Sequence, residues 1–156
     1  MNRLFCFGIG YSALHVIAEL MLHDGWSFAG TCRTEDKCAR AREAGVDAVP
    51  FERGSPVPNP ANTLRDVTHL LLSVPPDEHG DPVLDAHAAD LAALAPRLRW
   101  VGYLSTTGVY GDRGGGWVDE TGALTPVAAR GWRRGRAEAG WFTLHQESGE
   151  IGRAHV

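Results

Sequence analysis

Gly8-Ile9-Gly10-Tyr11-Ser12-Ala13 has the residue types and spacing of a chain that must pass close to a phosphate. Gly8 lets the backbone turn sharply, Gly10 removes the side chain where a pyrophosphate would approach, and Ala13 lets the next helix lie against the strand before it. Tyr11, Ser12 and Ala13 would open that helix, where unpaired N–H groups and the positive end of the macrodipole hold an anion. The spacing points to dinucleotide binding. Arg33 is a second candidate. It follows Trp26-Ser27-Phe28-Ala29-Gly30-Thr31-Cys32, at a place where many NAD sites carry an acidic residue for the ribose 2′-hydroxyl. A guanidinium there suits a 2′-phosphate, so NADP is the expected cofactor and NAD the alternative. Arg130, Arg133 and Arg134, at i, i+3 and i+4, would share a helix face and either clamp an anionic group or face solvent.

The elements that must position these residues alternate. Leu4-Phe5-Cys6-Phe7 is an apolar run leading straight into the glycine turn, and Leu14, Ile17, Ala18, Met21 and Leu22 recur at helical spacing until Gly25. Residues 26–32 read as a second strand, 35–44 as a charged helix ended by Gly45, and 46–51 as a third strand. Residues 53–62, rich in Pro, Gly and Asn, read as a loop. Residues 67–74 are a fourth strand whose Leu70-Leu71-Leu72 run fits burial on both faces. A helix over 81–94 begins with Pro82 and places Leu84, His87, Ala88 and Leu91 on one side, before a fifth strand at 100–104. Such alternation predicts an α/β fold: a doubly wound parallel sheet of Rossmann type in the order 3-2-1-4-5, with its ligand crevice outside the C-terminal strand ends between the first and fourth strands. Gly8, Arg33, Ser73 and Ser105 would then share one rim.

Composition narrows the function classes. At 156 residues, 44% hydrophobic and 22% charged, the chain has one globular domain's worth of material. The net charge of −4 and the lack of a basic, aromatic-studded stripe argue against a nucleic-acid partner, and no apolar run is long enough to span a bilayer. No secretory leader pattern opens the chain, so a cytoplasmic location is expected. Cys6, Cys32 and Cys38 have no metal-ligand spacing and read as buried, inert thiols, and the seven His residues pair with no Cys or carboxylate at ligand spacing, so no metal is expected.

Leu104-Ser105-Thr106-Thr107-Gly108-Val109-Tyr110-Gly111, with Asp119-Glu120 and Pro126 beyond it, resembles the extended short-chain dehydrogenase/reductase family, the NAD-dependent epimerases and dehydratases. The resemblance runs to about Gln146. It implies hydride transfer between nicotinamide and a small-molecule carbonyl or alcohol. It places the family's catalytic Ser/Thr on Thr106, with Ser105 and Thr107 as neighbours able to serve, and passes the cofactor along Ser73 and Val74. The hydroxyl would stabilise charge developing on the reacting oxygen. The family's Y-x-x-x-K pair should fall near residues 130–135, and here there is neither Tyr nor Lys. Arg stays protonated to beyond about pH 12 and cannot replace that tyrosine. Tyr110 is then the nearby phenol, usually structural in the family and here the remaining candidate for a catalytic proton-transfer role. Asp112 to Gly116 forms a glycine-rich stretch that would be a lid or a plain surface loop. Asp77, Glu78 and Asp81 read as loop and cap residues. The alternative to an enzyme is a non-catalytic NADP-binding redox sensor or scaffold.

Residues 1–146 are accordingly expected to be a partial NAD(P)-binding domain, with 147–156 a tail. Residues 150–156 read as the translation of a sequencing adapter, an addition to be set aside from fold reasoning. Later strands and the substrate lobe of the resembled family would be missing. Apolar surface at the fifth strand would be left uncovered, and a full-length form would have the possibility of a homodimer.

Overall fold

A computed structural model describes residues 1–148; the expected adapter-derived residues 150–156 lie outside it. Five parallel strands, β1 (Asn2–Phe7), β2 (Trp26–Cys32), β3 (Asp47–Pro50), β4 (His69–Leu72) and β5 (Trp100–Tyr103), form one sheet in the order β3-β2-β1-β4-β5. Helices α1 (Tyr11–Leu20), α2 (Glu35–Glu43), α3 (Pro60–Thr63), α4 (Pro82–Leu94) and α5 (Ala129–Ser148) connect or follow them. This is the doubly wound fold that the alternation predicts.

Strand alternation builds the two layers. Phe5, Phe7, Leu70 and Leu72 point to one side and pack with Leu91 and Leu94 of α4 and Trp141 and Leu144 of α5. Leu4, Cys6 and Leu71 point to the other and pack with Ala13 and Ile17 of α1 and Cys38 and Ala41 of α2. Central strands buried on both faces require this unbroken apolar character. Each fully buried Phe contributes roughly 1.5–3 kcal/mol through removal from water. All three cysteines are buried, and burial pushes the Cys6 thiol up to about 12 and the Cys32 thiol up to about 11, which keeps both protonated.

Local chemistry sets the helix ends. Thr34 caps α2 by accepting from the Lys37 N–H, Glu35 and Asp36 occupy its first turn, and Gly45 leaves it with φ +83°. Asp81 caps α4, accepting from Val83 N (2.9 Å) and Leu84 N (3.2 Å) ahead of Pro82.

Several expectations need correction. The 53–62 loop ends in the short α3. Helix α1 stops at Leu20 and buries only Ala13 and Ile17, so Leu14, Met21 and Leu22 are exposed. The chain must turn back through Gly25, at φ +85°, to enter β2, and this pulls residues 21–25 out of the helix. On α4, His87 is buried but Ala88 is not. The His87 Nε2 accepts from Val57 N at 3.1 Å, which leaves the proton on Nδ1, 2.9 Å from Asp90 Oδ2. A histidine on an apolar face thereby pins the loop before α3. Among the described residues, no helix is long and apolar enough to cross a membrane.

Candidate functional site

The β1–α1 turn is shaped by residues on both neighbouring strands. Gly8 sits at φ +90°, a region that side-chain-bearing residues rarely enter, and a Cβ there would meet Val74 Cγ2 and Val74 N at 3.2 Å. Thr31 of β2, itself 1% exposed, holds the turn from the other side: its hydroxyl accepts from Gly8 N (2.8 Å) and its carbonyl from Ile9 N (2.7 Å). Gly30 allows this close approach, since a Cβ on it would lie 2.4 Å from the Cys6 carbonyl oxygen. Gly10 caps α1 without a side-chain bond, and the space a Cβ would fill there is open up to Ser73 Oγ at 4.0 Å. The first N–H groups of α1 are therefore left for a ligand.

A cleft of about 550 Å³ opens from this turn, lined by Gly8, Gly10, Arg33, Ser73 and Val74 among others. Five of the expected cofactor residues thus meet at the switch point between β1 and β4. Tyr11, Ser12 and Ala13 are not part of that lining: Tyr11 is 81% exposed with its ring 4.3 Å from that of His15, Ser12 faces solvent, and Ala13 is fully buried in the core. Lys37, on the first turn of α2, lines the cleft beside Arg33, and neither makes an ion pair among the described residues. The sequence reading missed Lys37. It also left Asp77 without a partner, whereas Arg53 donates to Asp77 Oδ2 at 2.5 Å and to Asp85 Oδ2 at 2.8 Å, which clasps the two loops that flank the cleft. The Arg53 guanidinium holds the Asp77 carboxyl below the usual range.

Ser105, Thr106 and Tyr110 line a separate pocket of about 450 Å³. The expected single rim is two adjoining sites. In the β4–β5 register Leu72 lies opposite Tyr103, so Ser73 of the cleft and Ser105 of the pocket follow at the same end of paired strands. The Thr106 hydroxyl accepts from Gly108 N at 3.3 Å and so caps the 3-10 turn Thr107–Tyr110, with its own hydrogen left to donate. Ser105 donates to Glu138 Oε1 on α5, a contact invisible in the sequence because it joins positions 33 apart. The glycine-rich stretch 112–116 is absent from the lining; Glu120, Gly122 and Leu124, further along the same loop, form the wall instead.

The three arginines do not act together. Arg130 and Arg133 are exposed, but Arg134 is buried, donating to Leu104 O (2.5 Å) and the Tyr103 hydroxyl (3.2 Å) with its guanidinium 5.4 Å from that ring. Arg134 therefore fastens α5 to the end of β5. Tyr103 is a second phenol near the site, yet burial pushes it up to about 12, out of range for proton transfer near neutral pH. Asp81 adds a further tie, accepting from Trp141 Nε1 at 2.9 Å; burial raises its pKa while the indole and two backbone N–H groups oppose the rise.

These features define a doubly wound fold of Rossmann type, and similar solved structures share it. The chain is similar to a functionally unknown conserved protein from Silicibacter pomeroyi DSS, with 44% identity and a TM-score of 0.80 over 92% of this chain and 49% of that one. It shares its fold with UDP-glucuronic acid 4-epimerase from Bacillus cereus in complex with NAD, at 15% identity and a TM-score of 0.70 over 94% of this chain and 53% of the epimerase. A third similar structure is dTDP-glucose 4,6-dehydratase from Bacillus anthracis str. Ames in complex with NAD, at 16% identity and a TM-score of 0.69 over 94% of this chain and 51% of the dehydratase. The chain spans about half the length of the structures it matches. No protein-family model and no curated protein matches it.

Proposed function

We propose that this chain is the coenzyme-binding part of an NAD(P)-dependent oxidoreductase of the epimerase/dehydratase type, the extended short-chain dehydrogenase/reductase family. The observation that carries the reading is the left-handed Gly8 turn, which opens onto the 550 Å³ cleft at the β1–β4 switch point beside the uncapped start of α1. The residues fit a dinucleotide: an open cradle at Gly10 for the pyrophosphate, and Arg33 with Lys37 in the lining of the same cleft. NADP is favoured over NAD because two cations there match a 2′-phosphate. When bound, the nicotinamide supplies or accepts a hydride. Ser73 and Val74 position its flank, and Thr106 donates a hydrogen bond to the oxygen of a carbonyl or alcohol substrate.

A titration followed by fluorescence tests the reading. NADPH should bind more tightly than NADH, and Arg33→Ala should remove most of that preference, on the order of tenfold for one charge-assisted contact. Failure of both coenzymes to bind overturns it. A second reading, a coenzyme-binding module without turnover, is favoured by one observation: α5 presents neither Tyr nor Lys at 130–135, and Tyr103 is held by Arg134. Substrate-dependent oxidation of NADPH that falls in Thr106→Ala supports the enzyme; binding with no turnover over a broad carbonyl panel supports the module.

A further inference from the structure

The pocket at the end of β5 differs in charge from the cleft next to it. Arg33, Lys37 and Arg53 stand on the cleft together with Glu52 and Asp77, whereas the pocket's lining has two carboxylates, Glu120 and Glu138, the hydroxyls of Ser105, Thr106 and Thr107, the phenol of Tyr110, and no Lys, Arg or His among the described residues. Arg134, one turn from Glu138 on α5, is turned behind the pocket and spent on Leu104 O and Tyr103. Glu138 accepts from Ser105 through Oε1 and makes no other hydrogen bond among the described residues. A carboxylate with an oxygen left over, in a half-enclosed space with apolar walls at Val109, Leu124 and Phe142, attracts a donor-bearing group on an apolar body and repels an anion.

We propose that this pocket takes a neutral or cationic substrate, an alcohol or an amine on a small apolar frame, and rejects anions, with Glu138 as the residue that sets the preference. The inference rests on the reading of the pocket as the substrate side of a coenzyme-dependent site. Discrimination comes from repulsion as much as from attraction: an anion would bring like charge against Glu138 and Glu120 with no cation among the described lining residues to offset it.

Three probes that share one ring test it: cyclohexylamine, cyclohexanol and cyclohexanecarboxylate, each titrated into the full chain by ligand-observed NMR. The expected order is amine, then alcohol, then carboxylate, with the ends about tenfold apart at low salt and closer at high salt. Glu138→Gln should bring amine and carboxylate to near-equal affinity. Glu138→Asp, which keeps the charge, should preserve the order and shows that any loss in Glu138→Gln is not unfolding. Equal or tighter binding of the carboxylate, an order unchanged in Glu138→Gln, or no binding by any probe at tens of millimolar each overturns the proposal. NADPH titrated into the same samples separates this from the functional reading: coenzyme binding with the wrong probe order sinks only the pocket's preference, and the expected order without coenzyme binding sinks only the oxidoreductase.

Discussion

The cleft beside Gly8 and the pocket beside Thr106 lie at the same end of two paired strands but are assembled from different material. The cleft is made of backbone: a turn at φ +90°, two N–H groups held by Thr31, glycines at 8 and 30 where a side chain would press on its neighbours, and open space at Gly10. The pocket is made of side chains that reach it from far along the chain, such as the 120–124 loop wall and Glu138, which sits on a helix anchored by Arg134 and Trp141. A backbone site is broken by adding an atom. A side-chain site is broken by removing one.

The largest effect should come from Gly30→Ala. Its methyl would lie 2.4 Å from the Cys6 carbonyl oxygen, inside a strand pair that cannot shift, so a loss at the upper end of overpacking costs, about 3 kcal/mol, is expected in a denaturant melt. Gly8→Ala is the sharper probe, because strain at positive φ costs about 1–3 kcal/mol and falls on the turn itself. It should weaken NADPH binding about tenfold or more while the thermal transition stays cooperative. Unchanged coenzyme affinity in a folded Gly8→Ala would erase the distinction drawn between the two sites.

On the side-chain region the test is subtraction. Trp141→Phe removes the indole donor to Asp81 and should cost about 1–3 kcal/mol. The cost depends on pH. Burial already holds the Asp81 pKa above the ordinary carboxylate value in the fold, so its contribution favours folding at low pH and declines as pH rises through the folded pKa. Losing the indole raises that pKa further, so the deficit of Trp141→Phe in urea melts should be larger above the carboxylate range than below it. Arg53→Ala should have the smallest effect. Asp77, now held low by the guanidinium, should titrate nearer its ordinary value by NMR; its stabilising share is present above that value and is lost as pH falls through the lowered one. At an exposed ion pair the change in stability should stay within about 1 kcal/mol.

The same contrast explains how far the sequence could be read. Strand order, the five strands and the Gly8 turn were legible because they rest on local signals: an apolar run, a glycine spacing and a helix start within a few residues of one another. Thr31 and Gly30 carried no such signal, although a glycine inside a strand marks close backbone approach. Arg53–Asp77, Ser105–Glu138 and Arg134–Tyr103 join positions 24, 33 and 31 apart, and nothing in the intervening residues specifies the meeting. The helical spacing of Arg130, Arg133 and Arg134 predicts a shared face, but only Arg134 turns inward, against Tyr103 and Leu104 at the end of β5. The apolar stripe expected on α1 failed for a similar reason, since only Ala13 and Ile17 reach the sheet before the helix ends.

The most direct test of the central claim is an amide chemical-shift map of the isotopically labelled chain with NADPH. The account predicts that Gly8, Gly10, Tyr11, Ser12 and Ala13 move most, together with Arg33, Lys37 and Ser73. Shifts that leave the 8–13 turn untouched at saturating coenzyme would contradict it.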